Sequence, residues 1–336
     1  MIPRSAPPEH LPRWQRELQR AITRVDRLLE LLEIDPRSVA LAGPAAARFP
    51  VRVPRGFAAR MRPGDPDDPL LRQVLPGAAE DRPATGYGFD PLDEERSMVA
   101  PGVLHKYRGR ALLTVTGACA VHCRYCFRRH FPYGQANPTG AWERVLGYLA
   151  DSPQTREVIL SGGDPLSLTD ERLAALSTGL EAPGHVHRLR IHTRTPIVLP
   201  ERVDRHLLGW LAASRLQVVM VVHCNHPREI DDAVAEAMRH LRAAGVSLFN
   251  QSVLLRGVND DPDILCALSE RLFDLGVIPY YLHQLDKVQG AAHFEVDDAA
   301  AHRLMDALHG RLSGYLVPRL VREQAGAPGK TLLWPA

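Results

Sequence analysis

Residues 112–129 read LLTVTGACAVHCRYCFRR, and three of the chain's five cysteines fall inside this stretch, at Cys119, Cys123 and Cys126. The spacing is C-x3-C-x2-C, directly after a strand-like run over 111–116. A closed tetrahedral zinc site takes four protein ligands, so three thiols leave zinc one short. A four-iron cluster is ordinarily held by four thiolates. With three supplied, one iron keeps an open position for a small molecule. The bland alternative is three buried thiols packed as small hydrophobes, and spacing this tight speaks against it. Spacing alone therefore defines a three-thiolate site that opens from the end of a strand.

Downstream of this strand a rhythm sets in. Aliphatic or β-branched runs recur at 157–160, 188–192, 217–222, 247–251 and 279–283, separated by helical patterns at 142–149, 171–180, 203–212, 230–243 and 263–275. A last helical pattern covers 297–312. Strand–helix alternation at this period predicts an α/β fold with a parallel sheet and right-handed crossovers. Six units are too few for a closed eightfold barrel and suit a partial, TIM-like (β/α)6 barrel. A doubly wound open sheet is the competing topology. The polar clusters favour the barrel: Cys119–Cys126, Ser161-Gly162-Gly163-Asp164, His192-Thr193-Arg194, His223–His226, Asn250-Gln251-Ser252 and Gln284–Lys287 all fall at strand C-termini, where barrels carry their active sites.

Upstream, residues 35–110 are rich in proline and arginine, with short helical pieces near 54–61 and 69–74. Trp14, Leu18, Ala21, Ile22, Val25, Leu28, Leu29 and Leu32 recur at helical spacing. The expected division is an N-terminal helical cap over 1–110, the partial barrel over 111–313 and a C-terminal segment over 314–336. A formal net charge of +2 over 336 residues implies no strong basic field and no nucleic-acid partner. The beginning of the chain has no signal-like apolar core and no run approaches about 20 apolar residues, so a cytoplasmic protein without a membrane partner is expected. An odd cysteine count, with Cys224 and Cys266 standing alone, argues against a disulfide framework.

The motif CRYCF, with Tyr125 just before the last cysteine, resembles the signature of the radical S-adenosylmethionine superfamily. That resemblance implies a [4Fe–4S] cluster on Cys119, Cys123 and Cys126, whose open iron chelates S-adenosylmethionine, and a one-electron reductant that triggers its cleavage. Gly162-Gly163-Asp164 resembles the stretch that binds the methionine end of this cofactor, with Tyr125 beside it. Glycines suit a close backbone approach, and Asp164 has the chemistry to accept from the ammonium group. Nearly end to end, the chain is similar to the lysine 2,3-aminomutase family, through CRYCFRRHF, LSGGDPLSL, RTPIVLPERV, NHPREI, NQSVLLRGVND and GKT. The resemblance adds pyridoxal 5′-phosphate as cofactor and an isomerase that moves the α-amino group of L-lysine to the β-carbon.

Residue by residue, the resemblance implies Lys330 as the catalytic, Schiff-base lysine, with Arg110 and Lys106 holding the cofactor's phosphate. Arg128 matches the clamp for the substrate α-carboxylate, since guanidinium pairs carboxylate bidentately. Asp286 and Glu323 match the acids that receive the side-chain ammonium, Glu323 standing where an aspartate is usual. Two of the glycines usual before the lysine are replaced by Ala327 and Pro328. Asp261 occupies a position where the free-lysine enzymes carry a zinc-binding cysteine, which puts zinc in doubt. Glu323, the segment PDDPLLRQVLP and the short C-terminus look like the branch that makes (R)-β-lysine for elongation factor P, with that factor or its lysyl ligase as partner. The rivals are a free-lysine enzyme of metabolism and another amino-acid 2,3-aminomutase. Two acids at the side-chain end disfavour glutamate, and the three-cysteine site disfavours a plain electron carrier.

Overall fold

The computed structural model describes residues 11–136 and 142–334. Ten strands form one sheet in strictly sequential order: β1 Met98–Ala100, β2 Val103–Tyr107, β3 Arg110–Thr116, β4 Glu157–Gly162, β5 Arg188–Thr193, β6 Gln217–Val222, β7 Ser247–Val253, β8 Ile278–His283, β9 Arg319–Arg322 and β10 Thr331–Leu332. Sequential order is that of a barrel wall; a doubly wound sheet would reverse direction at a switch point. All pairings from β3 to β9 are parallel, and β1–β2, β2–β3 and β9–β10 are antiparallel. The six predicted strands are β3 to β8, and the fold is a partial, TIM-like barrel.

The flanks depart from the expected division. Strands β1 and β2 come from the segment read as cap, and β9 adds a seventh parallel strand from the segment read as C-terminal. These strands are two to five residues long, shorter than any window in which alternation can be read. The helical pattern that begins at Trp14 is also split, into Arg13–Gln19 and Val25–Leu31. Ile22 leaves the helix to form an antiparallel bridge with Val53, exchanging N–H···O bonds of 2.7 and 2.9 Å.

Alternation along the strands sorts their side chains. Leu113, Val115, Val158, Leu160, Leu189, Ile191, Val218, Met220, Val222 and Leu248 pack outward against the helices in one apolar core. The alternate positions, among them Ser161, Arg190, His192, Val221 and Gln251, face the lumen. Four barrel helices begin at an aspartate whose carboxylate accepts from the first-turn N–H groups: Asp204, Asp231, Asp261 and Asp297. Asp261 is thus a helix cap, followed by Pro262 in the first turn. A second core joins Trp14, Leu28, Leu29, Phe57, Leu70 and Leu71 of the cap to Ala120 and Val121 of the cysteine loop and to Val198 and Leu199. The cap therefore closes over the top of the barrel, where the cysteines are.

Candidate active site

The cysteine loop leaves β3 at Thr116 and is held by the strand beside it. Gly163 N–H donates to Thr116 O at 2.6 Å and Asp164 N–H to Ala118 O at 2.8 Å. A Cβ on Gly162 would lie 2.5 Å from Thr116 O, and one on Gly163 would lie 2.4 Å from Ala118 O. The two glycines are thus required by the approach of β4's end to the cysteine loop. Asp164 is buried, and its carboxylate accepts from Leu166 N (3.0 Å), Thr193 Oγ1 (2.6 Å), Arg194 N (2.7 Å) and Thr195 N (3.0 Å). With four donors already on it, Asp164 fastens β4 to β5, a role its sequence context did not reveal.

Around the thiols, burial is the main influence. It pushes Cys126 up to about 11 and Cys119 well above the ordinary thiol range, and the neighbouring thiols push the same way. Cys119 and Cys126 thus resist ionisation unless positive charge is bound to them. Their chemistry therefore fits the iron cluster, which Cys119, Cys123 and Cys126 would hold. One cation already touches the set: Arg194 Nη1 lies 2.8 Å from Cys123 Sγ, while its Nη2 donates to Gln73 Oε1 and Glu229 Oε2. Tyr125 is half-buried beside them, with its hydroxyl accepting from Asn225 Nδ2 at 2.7 Å and the Arg194 guanidinium 5.6 Å from its ring centre.

Lys330 stands directly before β10. Its Nζ donates to Glu323 Oε2 at 2.5 Å, and Tyr107 Oη donates to Glu323 Oε1 at 2.5 Å. The Tyr281 ring centre is 5.7 Å from Nζ. Four buried polar atoms have no partner among the described residues: His192 Nε2, His223 Nε2, His283 Nε2 and Gln251 Oε1. They come from four successive strands, or in the case of His223 from the residue just past β6. Burial, joined by the charge of Lys330 and other cations, holds all three imidazoles neutral, His223 at about 4. Orphaned buried polar atoms are costly, and a polar ring bearing hydroxyl and phosphate groups would satisfy them. Arg110 stacks on Tyr107 at 4.2 Å and has no carboxylate in ion-pair reach among the described residues. It suits a phosphate dianion. The lumen accordingly fits pyridoxal phosphate on Lys330.

The remaining expected residues are placed as follows. Lys106 Nζ donates to Leu92 O at 3.3 Å and lies 3.6 Å from Glu94, and its charge also reaches Glu323 and Asp286. Arg128 is buried and paired bidentately with Glu94, at 2.7 and 2.8 Å, with Nη1 donating to Ser161 Oγ at 2.7 Å. Glu94 and Tyr107 were not singled out from sequence, and Arg194 only as part of a polar strand end; a lone residue of these types carries no spacing signal. Asp286 and Glu323 line one cavity of about 730 Å3, together with Asp90, Leu92, Lys287, Asp298 and Arg322. The Asp286 carboxylate has no hydrogen-bond partner among the described residues. Burial lifts its pKa to about 7; Lys330 opposes the shift and Glu323 and Glu94 reinforce it.

A sequential partial barrel with a three-thiol loop after its first parallel strand defines a radical S-adenosylmethionine enzyme, and residues 113–265 match the model of the radical SAM superfamily. The chain is 53% identical over 323 residues to an L-lysine 2,3-aminomutase of Escherichia coli (strain K12), covering 95% of this chain and 94% of that protein. It is 48% identical over 321 residues to one from Haemophilus influenzae, covering 95% of each. With the Clostridium subterminale L-lysine 2,3-aminomutase it shares 35% over 325 residues, covering 96% of this chain and 78% of that protein. A radical SAM methyltransferase of Sphaerobacter thermophilus superposes with a TM-score of 0.46 at 16% identity, over 66% and 68% of the two chains. The chain belongs to the lysine 2,3-aminomutase family. It is an isomerase whose cofactors are a [4Fe–4S] cluster, S-adenosylmethionine and pyridoxal phosphate.

Proposed function

We propose that the chain converts L-α-lysine to (R)-β-lysine, and that the product serves the modification of elongation factor P in the cytoplasm. The cluster and S-adenosylmethionine supply a hydrogen-abstracting radical, and pyridoxal phosphate supplies the conjugated system that lets the nitrogen migrate. The chain's own part is to bind and orient. Lys330 holds the cofactor end of the lumen, Arg110 offers its unpaired guanidinium to the phosphate, and Arg128 offers its charge to the substrate carboxylate. Asp286 and Glu323 take the side-chain ammonium.

The observation that carries the reading is the unpartnered Asp286 carboxylate in the same cavity as Glu323, one residue removed from Lys330 by the Glu323–Lys330 pair. A half-buried carboxylate without a donor favours a cation, and the lysine side chain is one. The translation-factor role is supported by Glu323 and by PDDPLLRQVLP, residues 66–76, whose Gln73 reaches Arg194, Glu229 and Asn225 beside the cysteine loop. Among the described residues no helix is long and apolar enough to cross a membrane. The expected partners are a one-electron reductant and the factor or its lysyl ligase. The test is product analysis from free L-lysine, followed by offering the product to the ligase and factor. (R)-β-lysine that the ligase transfers in preference to α-lysine supports the reading. The S product, or a product the ligase refuses, sinks the translation-factor role.

A further inference from the structure

The cysteine loop has a second support that neither the cofactors nor the substrate reading uses. Glu80, in the short helical turn Ala78–Asp81 of the cap, is fully buried. Its carboxylate accepts from Arg124 Nε at 2.8 Å, Arg124 Nη2 at 2.5 Å and Arg129 Nη2 at 2.6 Å. Gly77 N–H adds a fourth donor at 3.1 Å. Arg124 lies between Cys123 and Cys126, and Arg129 lies three residues beyond. Both side chains are sealed from solvent, at 0% and 2% exposure, against 0% for the Glu80 side chain. Arg124 Nη1 also donates to Phe49 O at 2.6 Å, Arg129 Nη1 to Arg124 O at 3.0 Å, and both guanidiniums lie 5.0 Å from the Phe49 ring centre.

One buried acid thus binds both arms of the segment that carries the second and third cysteines. Two guanidiniums and one carboxylate sum to a single positive charge, beside three thiols that must ionise to bind iron. Two buried arginines without Glu80 would be an uncompensated pair of like charges, and the loop could relieve that only by opening toward solvent.

We propose that Glu80 is a positioning residue for the iron–sulfur cluster: a carboxylate of the cap that clamps Arg124 and Arg129 and so keeps the cysteine loop closed on the cluster. It acts through the arginines and touches neither cluster nor substrate. The test uses the cluster-loaded chain and does not depend on turnover. Cluster loss to an iron chelator is followed by visible absorbance at a temperature well below the melting point, with far-UV circular dichroism recorded alongside, and the reduced cluster is examined by electron paramagnetic resonance. Glu80→Gln is expected to lose iron at least tenfold faster than the parent with an unchanged dichroism spectrum, and to broaden or shift the resonance. Arg129→Gln, which keeps the Glu80–Arg124 pair, is expected to accelerate loss less, by about threefold, and covers the case in which Glu80→Gln does not fold. Parental loss rates and an unshifted resonance in the folded variants would overturn the proposal, as would faster loss that only tracks a fall in melting temperature.

Discussion

Asp286 carries the most at the scale of a single residue. Burial raises its carboxyl to about 7, so it is largely uncharged below that pH and charged above it. A substrate ammonium needs the charged form, and the lysine side chain itself stays protonated to about pH 10. The expected outcome is that kcat/KM for lysine climbs toward tenfold per pH unit below 7 and levels off above it. Norleucine, which has the chain without the ammonium, should lack this limb, and so should Asp286→Asn. That variant should lose about 200- to 5000-fold in kcat/KM for lysine, the effect of removing about 3–5 kcal/mol of charge pairing. A pH–rate profile for lysine that is the same in parent and variant contradicts the assignment. The same raised pKa has a stability consequence. Between about pH 4 and 7 the folded state binds more protons than the unfolded one, so stability falls as pH rises through that window. At this scale the sequence singles out a residue only where spacing or resemblance marks it, as for the cysteines and Lys330. It was mute on Glu94, Tyr107 and the paired state of Arg128, because partners 34 and 216 residues apart leave no local pattern.

At the scale of elements, strands and helices of the barrel were legible because each is long enough to show its period, and aspartate caps mark four of the helix starts. What local pattern could not show is why a glycine stands where it does. Gly163 lies under the cysteine loop, where an added methyl would meet Ala118 O at 2.4 Å and the Ala118 carbonyl carbon at 2.9 Å. Gly147 and Gly209 sit inside the helices Trp142–Ala150 and Arg205–Ala213 with nothing within 4 Å of an added Cβ. Gly163→Ala should therefore destabilise by about 2–3 kcal/mol and loosen the cluster, since backbone must move. Gly147→Ala and Gly209→Ala should each stabilise by about 1 kcal/mol, through helix propensity alone. Denaturant unfolding of the three variants checks both signs. A neutral Gly163→Ala would mean the loop is not seated on β4 as described.

For the whole molecule, sequential strand order made the partial barrel readable from rhythm and from polar strand ends, while its open side was not. That side is flanked by the antiparallel additions β1–β2 and β9–β10, and the hydroxyl of Tyr107 on β2 spans it to Glu323, just past β9. Residues from the two flanks of the sheet thereby meet at Lys330. Tyr107→Phe should cost about 1.5–3 kcal/mol, the range for a hydrogen bond to a charged group, while iron content stays at the parental level. Thermal unfolding with parallel iron analysis reads both quantities, and loss of iron in this variant would place the bridge on the cluster side instead.

The most direct test of the central claim follows nitrogen. The chain is reconstituted with iron, sulfide, S-adenosylmethionine, pyridoxal phosphate and a one-electron reductant, then given L-lysine labelled with nitrogen-15 at the α-amino group. The account predicts β-lysine with the label on its β-nitrogen and no labelled ammonia released. It also predicts no product when either pyridoxal phosphate or S-adenosylmethionine is left out. Unchanged lysine from the fully loaded chain while S-adenosylmethionine is consumed, or label released as ammonia, would contradict it.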